Sequence, residues 1–237
     1  MSLYLSIIIP AYNEEERIAS SLSKIQEYLS LQNYMSEIIV VDDGSKDNTV
    51  ELIKSNYPNV KILKQLVNQG KGAAVKRGML EAKGEIVLFT DADLSTPIYE
   101  TKKILDRLNN DFDICIGSRA IDNSLIKDHQ PFYREFMGKI FNKLVQILVI
   151  KGIQDTQCGF KAFKLQSAKE IFNRTKISGF SFDVEALYIA SKMNYKIYEQ
   201  AVEWYNDERS KVDPIIDSTK MLIEIFRIRS LHKSTKF

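Results

Sequence analysis

The chain has 237 residues, 44% hydrophobic and 27% charged, enough for one domain with a sizeable core. Its formal net charge of +2 carries no overall signal for nucleic acid, which only local patches could bind, and no nucleic-acid partner is expected. Two cysteines, Cys115 and Cys158, exclude a disulfide framework or a zinc cluster and suit a reducing cytosol.

Residues 5–9 are a β-branched run and predict the first strand, closed by Pro10. Asn13 is placed to cap a helix whose first turn carries Glu14, Glu15 and Glu16, with Ile18, Leu22, Ile25 and Leu29 at helical spacing. Residues 37–41 predict a second strand, then a short helix capped by Asp47 or Asn48. Residues 60–66 predict a third strand, and 73–82 a helix. Residues 86–90 predict a strand buried on both faces, 98–108 a helix begun by Thr96-Pro97, and 113–117 a further strand. Alternating strand and helix predict a mostly parallel sheet with crossover helices, so the loops after the strands converge on one edge. Beyond Asp122 the rhythm changes. Residues 132–150 predict one long helix, 155–161 a compact loop, 165–172 and 182–193 helices, 198–204 a strand and 220–231 a last helix. A catalytic domain over 1–211 and a basic amphipathic helix over 212–237 are expected. No window reaches roughly 18 uninterrupted apolar residues and no basic leader is visible. The expectation is a cytoplasmic protein, peripheral at most to the cytoplasmic face of a membrane.

Four strand ends carry chemistry. Asp91-Ala92-Asp93 puts two carboxylates at i and i+2 of an extended segment, pointing the same way. Like charges so close call for a cation, and we read the pair as a divalent-metal site holding a diphosphate; the alternative is an acidic turn. Pro10-Ala11-Tyr12-Asn13-Glu14 is either a helix cap or a nucleoside contact. Asp42-Asp43-Gly44-Ser45 is a turn, or an acid that accepts from a base or ribose. Asn68-Gln69-Gly70-Lys71-Gly72 lacks the spacing and the ending of a P-loop, and no G-x-G-x-x-G follows the first strand. A dehydrogenase reading falls with it.

In this order the four motifs resemble the inverting family-2 glycosyltransferases of the GT-A fold. Gly117-Ser118-Arg119, Asp155-Thr156-Gln157-Cys158-Gly159-Phe160-Lys161 and Phe182-Asp183-Val184-Glu185 look like the dolichyl-phosphate sugar synthases, and the Asp155 loop most resembles their β-glucosyl branch. The resemblance implies an α/β GT-A fold and a donor site at Pro10, Tyr12, Glu14, Asp43, Lys71 and Asp91. It also implies Mg²⁺ or Mn²⁺ at Asp91 and Asp93. The mannosyl enzymes usually place a glutamine where this chain has Ser95, which leaves the third metal ligand open. The implied reaction moves a hexose, favoured as glucose from UDP-glucose, to a polyprenyl or dolichyl phosphate. GDP-mannose as donor and a saccharide as acceptor are the alternatives, and a nucleotide-binding module without catalysis is the rival of another class.

A phosphate acceptor has a second pKa of about 6, so it is already a dianion at neutral pH and needs cations rather than a base. Arg119, Arg134 and Lys211 are the candidates, with Asp155, Asp183 and Glu185 orienting them or the donor hydroxyls. With a sugar-alcohol acceptor, Asp155 would be the base. His129 and His232 have no partner motif. The helices at 132–150 and 220–237 mix large apolar and cationic residues, which predicts contact with an anionic membrane surface, a dimer partner or the core.

Overall fold

The computed structural model describes residues 2–122, 125–128, 131–207 and 216–235, with backbone alone at 132–135, 139 and 216–219. The β-branched run near the N-terminus forms β1 (Leu3–Ala11), which lies in parallel between β2 (Met35–Asp42) and β4 (Ile86–Thr90). β3 (Lys61–Lys64) adds to the far side of β2. β5 (Ile114–Ser118), β6 (Phe160–Lys164) and β7 (Ile197–Ala201) complete a seven-stranded sheet in the order β3-β2-β1-β4-β6-β5-β7. β6 is antiparallel to both β4 and β5; every other pairing is parallel.

Helices cover both faces. On one side α1 (Ile18–Ser30), α2 (Thr49–Asn56) and α4 (Thr101–Leu108) bury Leu22, Ile53 and Leu105 against Leu5, Ile7, Val40 and Leu88. On the other, α3 (Lys71–Glu81), α5 (Phe132–Leu148), α6 (Leu165–Arg174), α7 (Phe182–Lys192) and α8 (Ile216–Leu231) cover Ile8, Val41, Phe89 and Phe163. Successive strand residues thus serve opposite layers, which is why the central strands read as unbroken apolar runs.

Three local expectations are corrected. Asn13 does not cap a helix: its φ is 54° and its Oδ1 accepts the Lys46 N–H at 2.8 Å, tying the β1 loop to the β2 loop. Glu14, Glu15 and Glu16 lie in the turn before α1 rather than in its first turn. The Asp155 loop ends earlier than expected, because Phe160 and Lys161 already belong to β6. That strand was hidden by its lysines; Lys161 is buried inside the sheet.

Candidate active site

The carboxyl ends of β1, β2, β4 and β5 share one edge, and the reversed β6 brings its beginning there, Phe160 lying opposite Thr90. The loop over residues 155–159 therefore arrives beside Asp91. Gly159 is what lets it come so close: a Cβ there would stand 2.0 Å from Asp91 Oδ2. Among the sequence-expected residues, Pro10 pairs opposite Val41 inside β1, which runs one residue further to Ala11 than expected, and half-buried Tyr12 follows at the same edge. Asp43 is buried and accepts from Gln65 Nε2 at 2.8 Å and from the Gln69 and Gly70 N–H groups at 2.7 and 2.9 Å. Burial pushes its carboxyl above the usual range, and the two backbone donors oppose that only in part. Asp43 thus shapes the loop that delivers Lys71.

Lys71 opens α3, and its Nζ sits 2.6 Å from Asp91 Oδ1. Burial would lower the ammonium pKa, but Asp91 and then Asp183 outweigh it and the net shift is upward. The close approach depends on Gly70, at φ 100°, where a Cβ would lie 2.4 Å from the Ser178 carbonyl oxygen. Asp93 is held in a turn by the Ser95 N–H, which donates to its Oδ1 at 3.0 Å. Burial, and then the neighbouring charge of Asp91, push Asp93 upward. A cleft of about 720 Å³ opens beside Asp93, lined in part by Tyr28, Leu31, Ile98, Tyr99 and Tyr205.

Arg119 follows β5 directly. Its Nε and Nη2 donate to Asp155 Oδ2 and Oδ1 at 2.7 and 2.9 Å, and its N–H donates to Oδ2 at 3.0 Å. The guanidinium also lies over the Trp204 ring, 5.5 Å from its centre. Against the cost of burial, the Arg119 guanidinium holds the Asp155 carboxyl well below the usual carboxylate range. Both Asp155 oxygens are taken up by Arg119 in a forked pair, a geometry suited to orienting the guanidinium. Asp183 is paired with the buried Lys161 at 2.8 Å. Glu185 is buried, and its partners among the described residues lie away from Arg119. It accepts from the Lys176 and Ile177 N–H groups and pairs with His232 Nε2 at 2.6 Å. Arg134 lies on α5 with its side chain outside the described residues, as are Lys211 and His129 altogether.

His232, Lys161, Arg17 and Asp207 had no role assigned from the sequence. His232 partners Glu185, and Lys161 partners Asp183. Arg17 pairs with Glu14, and its Nη1 lies 3.8 Å from Asp93 Oδ2 and 3.4 Å from Asp207 Oδ2. The i, i+3 spacing of Glu14 and Arg17 was legible; nothing local joins either to residues 93 and 207.

Asp91 and Asp93 supply hard oxygen donors that suit Mg²⁺ or Mn²⁺. Among the described residues no group of three or more acids, histidines or cysteines could hold a metal ion. Mg²⁺ commonly takes only one or two protein carboxylates and keeps phosphate and water at its remaining positions.

The mostly parallel α/β sheet, with these side chains gathered at one edge, has the architecture of the GT-A fold. The family model for glycosyl transferase family 2 matches residues 6–172, and the chain belongs to that family; it is a glycosyltransferase. It is 40% identical over 244 residues to the dolichyl-phosphate beta-glucosyltransferase of Dictyostelium discoideum, covering 96% of this chain and 74% of that one. The human dolichyl-phosphate beta-glucosyltransferase is 34% identical, covering 95% and 74%. Among solved structures, glucosyl-3-phosphoglycerate synthase from Mycobacterium tuberculosis, in complex with Mn²⁺, UDP-glucose and phosphoglyceric acid, superposes with a TM-score of 0.72. That match covers 96% of this chain and 79% of the other at 17% identity, a likeness of fold.

Proposed function

We propose that the protein transfers glucose from UDP-glucose to a dolichyl or other polyprenyl phosphate, with inversion at the anomeric carbon. The observation that carries this reading is the Arg119–Asp155 clamp beside Asp91. A phosphate nucleophile needs a fixed cation and no base, and the site offers a guanidinium whose forked partner locks its orientation. The names of the relatives support the lipid phosphate and the glucose; UDP is the nucleotide in the solved synthase of like fold. Asp91 and Asp93 would hold Mg²⁺ or Mn²⁺, which when bound would neutralise the charge gathering on the leaving diphosphate. Lys71 adds a cation on the same side, Pro10, Tyr12 and Asp43 form the floor of the nucleoside site, and Glu14 sets Arg17. Arg119, with Arg134 and Lys211 as further candidates, binds the acceptor phosphate.

The acceptor's chain belongs in a lipid leaflet, and we place α5 and α8 against it. The two helices lie against each other and expose Phe136, Ile140, Ile147, Ile223 and Phe226, with Lys143, Lys220 and Arg227 among them. No helix among the described residues is long and apolar enough to cross a membrane, so the proposed attachment is peripheral, on an anionic surface.

The test is transfer from radiolabelled sugar nucleotides to dolichyl phosphate, followed by organic extraction. Label from UDP-glucose entering an acid-labile lipid is the expected result. Label that stays aqueous overturns the lipid acceptor, and label from GDP-mannose alone overturns the donor.

A further inference from the structure

Arg17 precedes α1 and is fixed before it reaches the acidic pair. Its N–H donates to the Glu14 carbonyl at 3.1 Å, and its Nε and Nη2 both donate to the Glu14 carboxylate. One edge of the guanidinium is thereby spent. The side chain is 11% exposed, and among the described residues the buried Nη1 makes no hydrogen bond. Nη1 points instead at two acids, near enough for charge but too far for a well-formed bond: Asp207 Oδ2 at 3.4 Å and Asp93 Oδ2 at 3.8 Å. Asp91 has its own cation in Lys71, at 2.6 Å. Each acid of the pair is therefore faced by a resident positive charge, and a fixed donor with spare valence stands at the second.

We propose that Arg17 is a positioning residue with two opposed effects: it resists a divalent cation arriving alone at Asp93, and it offers Nη1 to an oxygen of the donor diphosphate once that cation is there. The inference rests on the metal-and-diphosphate reading of the site. The physical argument is one of charge order. A lone divalent cation approaching Asp93 meets the like charge of the guanidinium a few ångströms away, in a partly buried setting where repulsion is weakly screened. A diphosphate arriving with the cation removes that repulsion and gives Nη1 the acceptor it lacks. Glu14 sets the balance by holding the guanidinium in place and offsetting part of its charge. Metal and nucleotide then bind as a pair, each much weaker without the other.

Two titrations of the full chain read this out without turnover. Mn²⁺ alone is followed by the electron paramagnetic resonance of the free ion, and UDP is followed by calorimetry at saturating Mn²⁺. Arg17→Gln is expected to bind Mn²⁺ alone about three- to tenfold more tightly and UDP about tenfold more weakly. Arg17→Lys keeps the charge and is expected to bind Mn²⁺ within about twofold of the natural protein. Glu14→Gln unmasks the guanidinium and is expected to weaken Mn²⁺ binding, so the sign is tested even where Arg17→Gln folds poorly. Mn²⁺ affinity that is unchanged or lower in Arg17→Gln, or higher in Glu14→Gln, overturns the proposal. Asp93→Ala separates this from the metal assignment itself. If Asp93→Ala loses Mn²⁺ while Arg17→Gln is unchanged, only the role of Arg17 falls; if Asp93→Ala binds Mn²⁺ normally, both fall.

Discussion

Asp155 and Arg119 tie the site to acid. The folded carboxyl of Asp155 is depressed far below its ordinary 3.8, so its pairing stabilises the fold fully at pH well above that value. The contribution is lost as pH falls through 3.8 toward the folded value. Asp155→Asn leaves Arg119 without its counter-charge and should cost about 3 kcal/mol at pH 7, read as a lower urea midpoint. At pH 3 the gap from the natural protein should narrow; a gap that stays constant would show that the pair does not titrate as its geometry demands. Gly159 gives a second residue-scale test. Alanine there places a Cβ 2.0 Å from Asp91 Oδ2, so Asp91 must move. Turnover should fall about 100-fold with the thermal midpoint little changed. The acidic pair was legible because its two members are neighbours in sequence and share a strand end. Arg17 was not, because its meaning lies 76 positions away at Asp93, and a guanidinium next to a glutamate reads as an ordinary helix-start pair.

At the scale of elements, α8 is held by both apolar and polar contacts. Ile225 and Ile228 enter the core, and His232 reaches Glu185 on α7. Lys176 Nζ adds a bond to the Leu231 carbonyl at 2.6 Å. His232→Ala should cost about 1–3 kcal/mol and speed amide exchange in α8 while leaving the central sheet protected. Equal acceleration in β1 and β4 would mean that α8 is not a separate unit. Neither half of this latch was readable from sequence. A lone histidine near a chain end carries no signal of a buried acid 47 positions away. The strands and helices of the first half were legible because period and punctuation agree there, as in the buried run of β4, found with its bounds intact. β6 was not, since two of its five residues are lysines and its burial of Lys161 depends on Asp183, on another element.

For the whole molecule, the site and the exposed apolar face adjoin. Asn142 of α5 accepts from Thr156, and Met221 of α8 lies 4.0 Å from Gln157 Nε2, so both helices border the loop that holds Asp155. Ile140→Ser combined with Phe226→Ser should reduce sedimentation with vesicles containing phosphatidylserine by about tenfold or more. Transfer to a short, water-soluble prenyl phosphate should be nearly unaffected; equal loss on both acceptors would place the two residues in the site and not at a leaflet. The order of strands has a further consequence, for synthesis. β4 and β5 are separated by β6, which leaves the ribosome some forty residues after β5 has ended. Until then the nascent chain carries β1 to β4 as a half-built sheet whose β4 edge offers unpaired backbone groups beside an apolar run. The strand that later brings Asp155 to Asp91 is also the one that closes this edge. Assembly of the candidate site and protection from edge-to-edge aggregation are therefore the same folding event, and a ribosome stalled near residue 130 would present a sticky chain with no assembled site.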